Sequence, residues 1–147
     1  MGHGDTGLAL AWQAFVENGQ LNLPAVKPVI AQSWERSLGY GVNPHSIGHN
    51  DILEAHILRE KLAANQVLLD TAAGAMEALY RTLQGLGFTV LLTDHDGYIL
   101  KTVGDAGFLD KAKRVCLSAG ANWSENIKGT NAIGTALKEA NPVNVFG

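Results

Sequence analysis

Phe88-Thr89-Val90-Leu91-Leu92-Thr93-Asp94-His95-Asp96-Gly97-Tyr98-Ile99-Leu100-Lys101-Thr102-Val103 is the stretch from which the fold is read. Residues 88–93 are short, apolar and β-branched, the composition of a buried strand. Asp96-Gly97 supplies the positive φ angles of a tight hairpin turn, and residues 98–103 return as a second strand. Asp94, His95, Asp96 and Asp105 gather around this hairpin, but a calcium loop needs oxygen ligands at D-x-D-x-D-G spacing. Turn chemistry accounts for them better.

Upstream, residues 51–84 contain no proline, and Asp51 with Glu54 resembles a capping box. An unbroken helix there would run about 50 Å. Leu58, Leu62, Asn65, Leu69, Ala72, Met76, Leu79, Leu83 and Leu86 recur at alternating spacings of four and three, as in a coiled-coil seam. Asn65 is its one polar member, of the kind that fixes register. The seam either packs on its own domain or also pairs two subunits. Before it, Leu8, Leu10, Ala11, Trp12, Phe15 and Val16 mark a helix capped at Asp5 or Thr6 and stopped at Gly19. A second helix is expected from near Pro24 to Gly39 or Gly41, with Pro44 barring continuation.

Downstream, residues 104–107 form a loop and 108–117 a short helix, followed by a glycine-bounded loop over 120–129. Thr130 is expected to cap a helix running to about Glu139, with Ile133 and Leu137 facing inward, and residues 142–146 to add a third strand. The class is α+β. A terminal apolar strand without a following hairpin partner leaves an edge that natural domains cover, so a piece of a longer protein is expected. Three segments result: a helical region over 1–50, a long signalling or dimerisation helix over 51–86, and a sheet-containing domain over 87–147.

The 147 residues are 46% hydrophobic and 17% charged, enough for a real core and against intrinsic disorder. A net charge of -3 with scattered basic residues argues against a phosphate-binding surface, hence against direct nucleic-acid binding. One cysteine excludes an internal disulfide framework. No apolar run approaches the ~20 residues that span a bilayer, and no basic, apolar leader is seen, so a cytoplasmic location is expected.

Gly129-Thr130-Asn131-Ala132-Ile133-Gly134-Thr135 invites comparison with a nucleotide loop, but Thr135 stands where a Walker sequence needs lysine. A Gly-Thr-Asn helix start offers backbone N–H groups and two polar side chains to a small ligand; plain capping explains the same residues. Trp123 either closes the core beneath its loop or walls a pocket. His45, His49 and His56 fit no common zinc spacing, so no metal is expected. Cys116, between Val115 and Leu117, reads as a buried small hydrophobe in a helix. No nucleophile and base announce themselves, and no catalytic residue is assigned.

Trp12 and Phe15, Ser33-Trp34-Glu35-Arg36-Ser37, Gly41-Val42-Asn43-Pro44, Asn65-Gln66-Val67-Leu68-Leu69 and Leu91-Leu92-Thr93-Asp94-His95-Asp96-Gly97 resemble one group of bacterial regulators. The likeness is strongest at Gly120-Ala121-Asn122-Trp123-Ser124-Glu125 and from Gly129 to Leu137. The group is the sigma-54-dependent transcriptional activators of the acetoin-catabolism and glycerol-dihydroxyacetone regulator type. The resemblance implies a GAF-like antiparallel sheet flanked by helices, with its C-terminal strands missing here. It also implies a sensory region controlling an AAA+ ATPase and a helix-turn-helix domain elsewhere in the same protein. The pocket of such a fold maps onto residues 104–131.

The expected function is therefore signal sensing within a transcriptional activator, with no cofactor. Phe88, Trp123, Glu125, Thr130 and Asn131 are the candidate contacts for a small effector of unknown identity. Leu58, Leu62, Asn65, Leu69, Met76, Leu79 and Leu83 are the candidate homodimer seam. The alternative is a ligand-free dimerisation or partner-docking module. An enzyme using Cys116 for redox chemistry lacks the resolving cysteine such chemistry normally requires.

Overall fold

The computed structural model describes residues 3–22, 24–45 and 51–146. In chain order the elements are α1 (His3–Asn18), α2 (Pro28–Gly39), α3 (Ala55–Ala64), α4 (Gln66–Leu83), β1 (Thr89–Thr93), β2 (Ile99–Gly104), α5 (Ala106–Arg114), α6 (Glu125–Lys128) and α7 (Ala132–Glu139). They fall into two compact units: residues 1–49 with 124–147, and residues 50–123. The packing units thus cut the chain differently from the three sequence segments.

Unit 1 is helical. Ala11, Val26 and Ala31 are buried at its centre, with Leu8, Leu21, Ile30 and Trp34 packed around them. The rings of Phe15 and Trp34 stack at 5.6 Å between centroids, joining α1 to α2. α1 already begins at His3, so Asp5 and Thr6 lie inside it and neither is its cap. α2 starts four residues after Pro24, at Pro28, where a missing N–H costs nothing. Asn131, not Thr130, caps α7: its side chain accepts from Ile133 N (3.0 Å) and Gly134 N (2.9 Å). Residues 142–146 form no strand. Phe146 is 71% exposed, with the Lys27 ammonium over its ring.

Unit 2 holds the hairpin. β1 and β2 pair antiparallel from Thr89↔Gly104 to Thr93↔Ile99, with an irregularity between Leu92 and Thr93. Gly97, at φ 87, occupies the turn as its sequence requires. Asp94 Oδ1 accepts from Asp96 N (3.0 Å) and Tyr98 N (2.9 Å), the turn chemistry expected of an aspartate there. Among the described residues the sheet has two strands.

Its further ribbons come from places the sequence does not advertise. Residues 120–123 run between 97–99 and 51–53: Ile99 N bonds Ala121 O (2.9 Å), Trp123 N bonds Gly97 O (2.8 Å), Leu53 N bonds Gly120 O and Asn122 N bonds Asp51 O (2.9 Å each). Ile99, Leu100, Met76, Ala112 and Ala121 are buried in this unit.

The expected continuous helix is two. Residues 51–53 are extended, with Ile52 bridging Ala121, so the Asp51–Glu54 capping box does not form and α3 begins only at Ala55. Asn65 leaves the helix at φ -104 and ψ 18, and its Nδ2 donates back to Lys61 O (2.9 Å). Asn65 is therefore spent on the end of α3. Cys116 is also placed differently. It follows α5 in the left-handed region (φ 60), half-buried, with Leu117 N returning to Ala112 O at 2.8 Å to close the helix.

Candidate functional site

α2 turns a face of small polar residues inward: Ser33 and Ser37, one helical turn apart, are both buried. Ser33 Oγ donates to Glu125 Oε2 at 2.7 Å and lies 2.7 Å from Thr130 Oγ1 and 3.1 Å from Thr135 Oγ1. Having one proton, already given to the carboxylate, it accepts from the threonines. Arg36 grips the same carboxylate twice, Nε to Oε1 at 2.6 Å and Nη2 to Oε2 at 3.1 Å, and reaches Glu139 Oε1 at 2.8 Å. Glu125 is 1% exposed, and a buried carboxylate is tolerable only when paired in this way. Burial alone would push its pKa up. Hydrogen bonds from Arg36 and Ser33 outweigh that and hold it below the ordinary carboxylate value. The same contacts raise the Arg36 pKa, so the pair stays ionised.

Gly129 links α6 to this network. Its φ of 71 and ψ of -158 suit glycine alone, and Asn131 Nδ2 donates to its carbonyl at 2.8 Å. Against Gly129 and Thr130 opens a cavity of about 250 Å³, walled by Trp12, Phe15, Val16, Trp34 and Val42 and bordered by Ser37 and Lys128. Trp12 meets His45 edge-on at 5.8 Å. Aromatic and aliphatic walls with polar groups along the border are a usual form of a small-molecule site.

Of the five candidate ligand residues, Thr130 lines this cavity, while Glu125 and Asn131 stand in the polar framework beside it. Phe88 and Trp123 belong to unit 2. Phe88 is 52% exposed just ahead of β1, and Trp123 Nε1 donates to the Cys116 carbonyl at 2.8 Å. Of the seam residues, Met76 is buried within unit 2; Leu58, Leu62, Asn65, Leu69 and Leu83 are half-buried; Leu79 is 51% exposed. Unit 2 has its own buried ion pair, Lys61 with Asp94, the ammonium also lying 4.6 Å from the Tyr98 ring centroid. Tyr98 OH donates to Asp51 Oδ2 at 3.0 Å, and this cluster braces the hairpin. His49 lies outside the described residues. Among them, no group of three or more metal-ligating side chains gathers.

The sequence reading missed Ser33, Arg36 and Ser37 as a unit. Their signal was present as serines at i and i+4 on a helix whose other inward positions are apolar.

The family described as MimR, N-terminal domain, matches residues 5–147. The chain belongs to that family. The B. subtilis acetoin dehydrogenase operon transcriptional activator AcoR is 35% identical over 92% of the chain and 22% of its own length. The propane 2-monooxygenase operon transcriptional activator MimR of Mycolicibacterium goodii is 30% identical over 93% of the chain and 22% of its own length. The acetoin catabolism regulatory protein of Cupriavidus necator is 36% identical over 74% of the chain and 16% of its own length. This MimR-type domain thus spans about a fifth of the curated relatives it matches. Two of those relatives are operon transcriptional activators and the third is a catabolism regulatory protein, and the domain is of the kind found in them. Its fold resembles that in the crystal structure of the E. coli DhaR(N)-DhaL complex, with a TM-score of 0.71 at 20% identity over 77% of this chain and 38% of that one. No helix among the described residues is long and apolar enough to cross a membrane.

Proposed function

We propose that this chain is the signal-sensing region of a sigma-54-dependent bacterial transcriptional activator acting in the cytoplasm. It binds a small effector and controls an AAA+ ATPase and a helix-turn-helix domain of the same protein. Unit 2 is then the opening part of a GAF-like sheet. The observation that carries the reading is the aromatic cavity of unit 1, set against the Gly129-Thr130-Asn131 turn and braced by the Ser33–Arg36–Glu125 network. An effector acts only if it binds two states of the protein unequally, and about 1.4 kcal/mol of difference shifts their ratio tenfold. The test is a calorimetric and thermal-shift screen of small metabolites on the full-length protein, alongside a reporter dose-response. A saturable binder that also moves the reporter supports the reading; failure of a broad panel in both assays removes it.

A second reading, a ligand-free dimerisation or partner-docking module, is favoured by the open apolar side of α4, where Leu68 is 40% and Leu79 51% exposed. The relative DhaR(N) is itself found in complex with DhaL. Under this reading Leu79→Glu converts a dimer into monomers in sedimentation, while an unchanged mass rules that face out.

A further inference from the structure

We propose that Ser37 is the specificity-determining residue of the unit 1 cavity. The ligand is an uncharged molecule with an apolar body and one hydroxyl or carbonyl oxygen, bonded by the Ser37 hydroxyl. This rests on the effector reading above and names the chemistry of that site.

Size comes first. The cavity measures about 250 Å³. An apolar cavity of about 150 Å³ accepts benzene, so roughly ten non-hydrogen atoms fit here. The walls come next. Trp12, Phe15, Val16, Trp34 and Val42 face such a molecule with ring and aliphatic surface, which suits an apolar body.

Charge then decides between neutral and ionic ligands. Lys128 borders the cavity, and behind Thr130 stand Arg36 and the two carboxylates that hold it, Glu125 and Glu139, so the four charges sum to zero. Arg36 is already held by both carboxylates. The surroundings carry no net charge, so neither an anion nor a cation recovers its lost hydration.

The polar point is Ser37. The residue is 9% exposed and lines the cavity, and among the described residues its Oγ has no hydrogen-bond partner. Other polar borders have commitments: Thr130 Oγ1 to Ser33 at 2.7 Å, Asn43 Oδ1 to His45 N at 2.9 Å. Ser33, one turn earlier on the same face, hydrogen-bonds three side chains; the Ser37 hydroxyl bonds none. The helix end does not need the hydroxyl, because Val42 N bonds the Ser37 carbonyl instead, at 3.1 Å. A buried hydroxyl without a partner is costly; the Oγ has almost no accessible surface in this conformation, so an occupant is to be met by a turn about its one side-chain torsion into another staggered well.

The test uses the full-length protein and four probes of similar size: benzyl alcohol, acetophenone, ethylbenzene and benzoate. Binding is read from the indole N–H signals of Trp12 and Trp34 by NMR. The wild type is expected to bind the alcohol and the ketone more tightly than ethylbenzene, and benzoate least. Ser37→Ala should weaken the alcohol and ketone about tenfold and leave ethylbenzene unchanged. Its unfolding midpoint should not fall, since the hydroxyl it removes bonds nothing. Ser37→Thr, which keeps a hydroxyl, should retain the preference. Equal affinities for alcohol, ketone and ethylbenzene in the wild type, or tightest binding of benzoate, would overturn the proposal. So would a Ser37→Ala variant that keeps the preference, or no binding by any probe. The effector reading falls separately, only if the metabolite panel and the reporter also fail.

Discussion

Ser33 Oγ donates a 2.7 Å hydrogen bond to Oε2 of Glu125, a residue 92 positions further along the chain, and both side chains are buried. This bond fastens α2 to the α6–α7 segment, where Arg36 completes the pairing of the carboxylate. Removing either side of such a contact strands a buried polar group. Ser33→Ala should lower stability by about 1–2 kcal/mol, and Glu125→Ala by about 3 kcal/mol. Urea denaturation followed by circular dichroism measures both. A Glu125→Ala midpoint equal to wild type would show that the network holds nothing together.

Acid should loosen the same network. The folded Glu125 carboxyl titrates below the ordinary value of 4.5, so in that range the unfolded chain binds more protons. Its contribution is complete above that value and disappears as pH falls through the lower, folded pKa. Denaturation midpoints of the wild type should therefore decline below about pH 4.5. Glu125→Gln should show a shallower decline, and parallel curves would contradict the assignment.

Asn131 is a helix cap with every polar atom of its side chain engaged. Asn131→Ala should cost about 1 kcal/mol of stability, and Asn131→Asp, which still accepts from both amides, clearly less. Thermal unfolding of the two variants provides the comparison. A reduced effector response in Asn131→Ala is then attributable to ligand contact only if the Asp variant shows it too.

In unit 2 the Lys61 ammonium compensates Asp94, which is 2% exposed. Lys61→Met should cost about 3 kcal/mol by leaving a buried carboxylate unpaired, whereas changing Lys61 and Asp94 together to Met and Asn should recover most of it. A double-mutant cycle in guanidinium measures the coupling; additive losses would deny it.

Ala140 ends α7 in the left-handed region, φ 50 and ψ 32, on the surface. Glycine adopts that conformation without a Cβ clash, so Ala140→Gly should raise stability by up to about 1 kcal/mol. A lower melting temperature in that variant would be the contrary result.

How far the residues disclose this arrangement depends on the range of the interaction. The hairpin was legible because Thr89, Val90 and the Asp96-Gly97 turn act on their immediate neighbours. The ribbons beside it were not: Gly120, Ala121 and Asn122 have no strand composition and are held by partners near residues 52 and 98. The apolar run at 142–146 had the composition of a strand but found no partner among the described residues. Heptad spacing ran straight through Asn65, because periodicity counts apolar positions and is blind to a side chain that turns back on its own carbonyls. In the site, Thr130 and Asn131 stood out from the Gly-Thr-Asn context. Ser33 did not, since its partners Glu125, Thr130 and Thr135 lie more than 90 positions away, and Ser37 is marked only by the partner its hydroxyl lacks.

That separation has a consequence for biogenesis. During translation α1 and α2 emerge long before residues 124–139, and everything that completes unit 2 is made in between. Until then the nascent chain carries a serine and an arginine whose carboxylate has not yet been synthesised. A chaperone contact, or simply a hydrated and loosely formed α2, is what the early polypeptide offers, and the aromatic hollow takes shape only after the ribosome has delivered Glu125 and Gly129.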